Sequence, residues 1–250
     1  MFTQSQHTRL WDETTPNRGA FIVFEGIDGS GKSTQAKHLH ARLLNDGYDA
    51  ILTREPGGTT GALEIRRLLV ENNDYNWDAM SELLLFTAAR RNHVEQVIRP
   101  HLEKGGIVIC DRYVGSTFAY QQAAGSGVSA ANIVTITNQA ITLGPDLTIH
   151  LDVTAELGLA RSCARKGIES RFEDRGLKFL SSVREQYYDL YRRNLSLIKS
   201  CPALGKRLLI LHTPDRIGRT EAENVHDTSM QIYRSVLGLT ALTNMISLSE

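Results

Sequence analysis

Only three cysteines occur in the 250 residues, Cys110, Cys163 and Cys201, and no C-x-x-C pair is among them. That scarcity suggests neither a cysteine-based zinc site nor a disulfide framework, and all three are read as reduced thiols. An excess of one charge is also missing, since Lys plus Arg and Asp plus Glu each number 28. General nucleic-acid binders and membrane-surface proteins carry a basic surplus, so neither nucleic acid nor membrane is an expected partner. Zero net charge still leaves room for a local cationic pocket. No apolar run approaches the roughly 20 residues that span a bilayer. Residues 1–16 are polar and lack the apolar core of a signal peptide, so a cytoplasmic location is expected.

What is present is an ordinary globular composition, 41% hydrophobic and 22% charged. Five short apolar runs read as strands: Ala20–Glu25, Tyr48–Thr53, Ile107–Cys110, Leu147–Val153 and Arg207–His212. Helical spacing marks Ser33–Asn45, Leu63–Val70, Ala130–Leu143, Leu157–Ala164, Phe179–Ile198 and Glu221–Leu237. A longer helical pattern over Ser81–Lys104 bends or breaks near Pro100. Strands alternating with helices imply an α/β fold, a doubly wound five-stranded parallel sheet with helices on both faces. Residues 1–19 are expected to form a flexible leader, 20–238 one domain with a lid near 163–175, and 239–250 a tail. Ligands of such a sheet sit at the carboxyl ends of its strands.

The segment Gly26-Ile27-Asp28-Gly29-Ser30-Gly31-Lys32-Ser33 matches G-x-x-x-x-G-K-[ST] without a mismatch, directly after a strand and opening a helix. Glycines let successive backbone N–H groups turn toward phosphate oxygens, and the helix N-terminus adds partial positive charge. Lys32 can span the β- and γ-phosphates, and the Ser33 hydroxyl can complete the coordination of Mg²⁺. A nucleoside triphosphate such as ATP is therefore expected, in a P-loop NTPase-type fold. The motif is silent about the acceptor.

A guanine-reading N/T-K-x-D segment is absent, which argues against a GTPase. From Phe21 onward the chain resembles the thymidylate kinase family in its bacterial form. The resemblance is carried by FEGIDGSGKSTQA, by TREPGGT at 53–59 and by LLFTAARRNHVEQVIRP at 84–100. It continues through CDRYVGSTFAYQ at 110–121, PDLTIHLDV at 145–153 and SRFED at 170–174, in the family's order and spacing. It implies ATP and dTMP as substrates, Mg²⁺ with the ATP, and a homodimer.

Several residues read physically beside that resemblance. Asp111 and Arg112 follow a buried strand and so stand at the ligand-binding edge. A guanidinium there can hold an acceptor phosphate in a fork or pair with Asp111 or another carboxylate. The matching arginine of the family binds the dTMP phosphate. Phe86 and Arg90 are four apart on a helix, hence on one face. An aromatic at helical spacing is by itself usually core, but the family stacks thymine on this Phe and reads its O4 edge with this Arg. The resemblance also puts Tyr120 near the deoxyribose and Thr117 at the base edge, though Thr117 equally suits a helix-start hydroxyl. Asp28 can bond the 3′-hydroxyl, help order Mg²⁺ or cap the loop. Arg54 leaves the second strand on the same edge, either to reach the acceptor phosphate or to anchor its loop.

Some family members carry a basic residue inside the phosphate loop, where this chain has Gly29-Ser30. The missing charge is expected from a lid in which Arg161, Arg165, Lys166, Arg171 and Arg175 cluster, with Arg171 the best match to the family's lid arginine. Direct in-line transfer needs positioning and charge neutralisation rather than a strong base. His38, His40, His93 and His101 are accordingly read as packing or surface residues. Two rival readings are weighed. A deoxynucleoside kinase would need a carboxylate base soon after the first strand, where Glu25 stands. A nucleotide-dependent switch without turnover would show degraded catalytic residues, whereas Lys32, Arg112 and the basic lid are intact.

Overall fold

The run Phe21–Glu25 is buried at every position, as a strand with neighbours on both edges and helices on both faces must be, and it forms β1 at the centre of the sheet. The computed structural model describes residues 18–70, 75–125, 127–164, 176–205, 207–213 and 220–239. Strands β2 (Ala50–Arg54), β3 (Ile107–Asp111), β4 (Leu147–Asp152) and β5 (Leu208–His212) complete a five-stranded sheet in the order β2-β3-β1-β4-β5. Every pairing is parallel, and the register sets Phe24 beside Asp111 and Glu25 beside His150. The chain leaves β1 for one side of the sheet and later returns to the other. The crevice at the carboxyl end of β1 is thus the topological switch point.

Alternation along β1 divides its side chains between two cores. Phe21 and Val23 join Val108 and Cys110 on one face, and Ile22 and Phe24 join Ile109, Ile149 and Leu151 on the other. The second face is closed by α1 (Lys32–Asn45), through Ala36, Leu39 and Leu43, and by α10 (Glu221–Leu237), through Ile232 and Val236. The first is covered by α3 (Ala79–His93), α4 (Arg99–Glu103), α5 (Val114–Ala123), α6 (Ala130–Ala140) and α8 (Gly176–Tyr188). Helices α2 (Thr60–Val70), α7 (Ala155–Cys163) and α9 (Leu195–Ser200) pack at the margins.

The expected break near Pro100 takes a specific form. Between α3 and α4 the chain runs as a π-helical turn, Val94–Ile98, and Pro100 sits in the first turn of α4. Pro100 has no N–H to give and its ring crowds the carbonyl four residues back, so the preceding turn widens. Helix α5 is not marked by the sequence pattern, which offers only a helix start at Thr117. It opens on Val114-Gly115-Ser116-Thr117, poor helix formers, and is buried on most sides, so it shows no apolar stripe. Of the expected leader, Arg18 and Gly19 are described, and both are tied down: Arg18 pairs with Asp146, and Gly19 N donates to Leu102 O at 2.8 Å. Leu239, placed in the expected tail, is buried in the second core.

Candidate active site

The segment Gly26–Ser33 joins β1 to α1 as the sequence requires. Gly29 lies at φ +76°, and a Cβ there would stand 2.0 Å from the Gly158 carbonyl of α7, so no other residue fits without moving that helix. Lys32 is buried, and its Nζ donates to Ile27 O at 2.7 Å and to Ser30 Oγ at 3.3 Å. Burial first, and then the nearby Arg112 charge, lower the Lys32 pKa to about 8. Ser33 is exposed, and its Oγ donates to Asp111 Oδ2 at 2.5 Å. The other carboxylate oxygen, Asp111 Oδ1, is buried and has no hydrogen-bond partner among the described residues.

Arg112 turns back toward the loop from the end of β3, with φ +74°. Its Nη1 donates to Gly26 O at 2.9 Å and Ser116 Oγ at 3.1 Å. Its Nη2 donates to Asp28 Oδ1 at 2.5 Å and Tyr120 OH at 3.1 Å. Tyr120 OH in turn donates to Asp28 Oδ2 at 2.7 Å. The carboxylate facing Arg112 is therefore Asp28 rather than its chain neighbour Asp111. Burial alone would raise the Asp28 pKa, but the charges of Arg112 and Lys32 outweigh it and hold the group below the usual carboxylate range.

Behind this cluster lies Glu25, fully buried at the end of β1. Its Oε1 accepts from the backbone N–H of Tyr113 (2.9 Å) and Ser116 (3.0 Å), and its Oε2 from Ser116 Oγ and Tyr187 OH (2.8 Å). Helix α5, whose N-cap residue Tyr113 offers no side-chain cap, is thus capped from the sheet. Burial raises the Glu25 pKa against those hydrogen bonds. A carboxylate so enclosed is no candidate for a base acting on a substrate hydroxyl.

Phe86 and Arg90 lie one turn apart on α3 and line the same cavity, with Arg90 buried and Phe86 half-buried. Arg90 Nε donates to Glu55 Oε2 at 2.6 Å, and its Nη2 to Tyr113 O at 3.1 Å and Thr117 Oγ1 at 3.0 Å. Thr117 is thereby joined to Arg90 rather than serving as a helix-start cap. Arg91, the next residue round the helix, points away and pairs with Glu95 and the Ala140 carbonyl. Gln121, buried one turn beyond Thr117, also lines the cavity and donates to Glu82 Oε2 at 3.2 Å. It closes the motif that ends at 121, yet a glutamine alone carries no signal that separates a ligand contact from packing.

One cavity of about 630 Å³ collects these groups. Asp28, Gly29, Gly31, Lys32 and Ser33 line it on the phosphate-loop side, and Arg54, Phe86, Arg90, Arg112, Thr117 and Tyr120 on the other. Gly26, Ile27 and Ser30 stand behind the lining, with Ile27 in the first core. Arg165, Lys166, Arg171 and Arg175 lie outside the described residues. Arg161 is described, at 4.0 Å from Glu221.

His93 is the packing residue of its reading, and it carries polar contacts as well. It is fully buried and hydrogen-bonded to Glu55 and Thr53. Ligand atoms of Glu55, His93 and Cys110 all lie within 4.8 Å of one another, a grouping that a metal ion could in principle share. Both Glu55 oxygens and both His93 nitrogens are already engaged within the protein, and the Arg90 cation stands beside them. The group is a hydrogen-bonded core and not a metal site.

Three comparisons bear on this arrangement. The family model for thymidylate kinase matches residues 24–203, well over half of the chain. A thymidylate kinase of Ruegeria pomeroyi is 48% identical over 178 residues, which make up 70% of this chain and 82% of that protein. One from Caulobacter vibrioides is 47% identical over 178 residues, 70% of this chain and 84% of the relative. The crystal structure of thymidylate kinase from Ehrlichia chaffeensis superposes with a TM-score of 0.66 at 31% identity, covering 88% of this chain and 99% of that one.

Proposed function

The chain belongs to the thymidylate kinase family, and from that membership and the single shared cavity we infer that it transfers the γ-phosphoryl group of ATP to dTMP, giving ADP and dTDP. The observation that carries the reading is the cavity itself: a triphosphate-binding loop and an aromatic–arginine pair open into one space of about 630 Å³.

An oxygen of the dTMP phosphate attacks the γ-phosphorus in line, the bond to the β–γ bridging oxygen breaks, and ADP leaves. That phosphate is already largely ionised at neutral pH, so positioning and charge neutralisation carry the step. Lys32 exchanges its two contacts inside the loop for the β- and γ-phosphate oxygens. Arg112 grips the acceptor phosphate with a fork whose geometry Gly26 O and Ser116 Oγ fix in advance. Phe86 stacks on the thymine, and Arg90 donates to its carbonyl edge. Tyr120 and Asp28 stand where the sugar would lie, and Arg54 borders the acceptor side.

The residues present fit Mg²⁺: the Ser33 hydroxyl and the Asp111 carboxylate are adjacent oxygen donors, one of them a buried atom with no partner among the described residues. Bound there, Mg²⁺ would neutralise charge on the β- and γ-phosphate oxygens. Arg171 remains our candidate for the lid arginine, on the ground that Gly29-Ser30 brings no charge to the loop. A homodimer is supported by the apolar residues Leu63, Met80 and Leu84, exposed on α2 and α3. Among the described residues no helix is long and apolar enough to cross a membrane, which agrees with a cytoplasmic enzyme.

The test is purified protein with MgATP and a panel of nucleosides and nucleoside monophosphates, followed by coupled detection of ADP. dTMP should be the preferred acceptor. Preference for a nucleoside would overturn the reading in favour of a deoxynucleoside kinase.

A further inference from the structure

Arg90 is clamped before any base arrives. Its Nε is committed to Glu55 Oε2 at 2.6 Å and its Nη2 to Tyr113 O and Thr117 Oγ1. Nη1 makes no hydrogen bond among the described residues. The clamp itself is held from behind. Glu55 Oε1 is 3.0 Å from His93 Nδ1, and His93 Nε2 is 2.8 Å from Thr53 Oγ1. The Glu55 carboxylate accepts from the N–H at His93 Nδ1, and His93 Nε2 shares a hydrogen bond with the Thr53 hydroxyl. The contacts form one continuous chain: Thr53 with His93, His93 with Glu55, and Arg90 donating to Glu55.

The polypeptide is shaped around this chain. Arg90 and His93 stand three apart on α3, so they share a face, and Glu55 reaches both from the turn after β2. Gly58 closes that turn at φ +86°, and a Cβ there would lie 2.2 Å from the His93 ring, so the loop can wrap the imidazole only with glycine. Glu55, Arg90 and His93 are all buried, so releasing one partner of the Glu55–Arg90 pair would leave a buried charge uncompensated.

We propose that Glu55, oriented by His93 and Thr53, is the positioning residue that presents Arg90 to the nucleobase, and that it thereby sets the enzyme's preference for a base with a carbonyl at its reading edge over one with an amino group. This rests on the assignment of Arg90 as the base contact. A guanidinium with Nε and Nη2 already fixed can offer only a donor at a fixed place, which suits an acceptor and clashes with an amino donor. A guanidinium released from Glu55 could turn to avoid the clash.

The experiment measures dissociation constants of dTMP and of 5-methyl-dCMP by titration calorimetry, since 5-methyl-dCMP keeps the methyl group and shape but replaces the carbonyl by an amino group. Binding gives a number whether or not the nucleotide is turned over. Glu55→Gln, which is isosteric, should reduce the preference for dTMP by about tenfold or more, the worth of one charge-assisted hydrogen bond. His93→Leu should do the same, whereas His93→Asn, whose amide replaces the Nδ1 donor, should recover much of the preference. Equal weakening of both nucleotides by Glu55→Gln, with the ratio unchanged, would show a purely structural role and overturn the proposal. If Glu55→Gln does not fold, Thr53→Val at a half-buried position carries the same ratio test. Arg90→Ala separates the two assignments: if it leaves the ratio unaltered, Arg90 is not the base contact and the premise fails, whatever Glu55 does.

Discussion

Arg112 Nη2 lies 2.5 Å from Asp28 Oδ1, so the guanidinium assigned to an incoming phosphate already faces an anion from the phosphate loop. The two residues are 84 positions apart and meet because β1 and β3 are neighbours. On the proposed reading, a substrate phosphate would take the place of the Asp28 carboxylate and free Asp28 and Tyr120 for the sugar. Arg112→Lys keeps the charge and loses the planar fork. It should lower kcat/KM for dTMP by about 10- to 100-fold, with the KM for ATP nearly constant. Steady-state kinetics decide this, and an unaltered kcat/KM would confine Arg112 to pairing with Asp28.

Lys32→Ala should leave the fold intact and reduce kcat by about 10² or more, the scale of one preorganised electrostatic contact. A folded variant with near-normal turnover would refute the mechanism.

The lowered Lys32 pKa of about 8 gives ATP binding a pH dependence. Bound triphosphate requires the charged amine and raises its pKa, so binding takes up a proton once the free enzyme has lost one. Affinity for ATP should be level below about pH 7 and fall above pH 8, approaching tenfold per unit. Lys32→Arg stays charged throughout and should flatten the profile. Calorimetric titration between pH 6.5 and 9.5 would show it, and a profile identical in both proteins would assign the dependence elsewhere.

Phe86→Ala should weaken dTMP by about 1–3 kcal/mol, the range seen for bases stacked on aromatic side chains, while sparing ATP. If the loss falls on ATP, the two substrate sites are reversed.

Arg171→Ala should lower kcat by about 10² or more and leave dTMP affinity almost unchanged, as for an arginine finger supplied in cis. Arg171→Lys should restore only part of the rate. A silent Arg171→Ala beside a crippling Arg165→Ala would keep the lid and move the residue.

His150 makes stability pH-dependent. It is buried against the rings of Tyr187 (5.0 Å) and Tyr191 (5.3 Å), and burial lowers its pKa from 6.5 to about 4. The unfolded chain therefore takes up the proton first as pH falls. The contribution is complete above pH 6.5 and is lost between 6.5 and about 4, at most about 3 kcal/mol. Thermal melts across that window should lose Tm in the native protein, and His150→Phe, which keeps the stacking, should be flatter. Equal slopes in both would place the titration on other groups.

Local pattern made much of this legible from the chain alone. The phosphate loop is one short segment between a strand and a helix, and β-branched runs punctuated by glycine located five strands to within about two residues. The spacing of Phe86 and Arg90 put them on one face of a helix, because that relation depends only on the helical period. Helix α5 escaped notice because its stability comes from burial and from Glu25, a residue 88 positions earlier that accepts its first N–H groups.

Sequence by itself thus determined the order of the five strands, the triphosphate loop and, through resemblance, the family. Only the tertiary structure decided which carboxylate serves which hydrogen-bonding partner: Asp28 for Arg112, Glu55 for Arg90 and His93, Asp111 for Ser33. The physical reason is that propensity and periodicity act within a few residues along the chain. A buried charge takes its partner from whatever the register of parallel strands sets beside it, and that register is fixed only when the whole sheet closes.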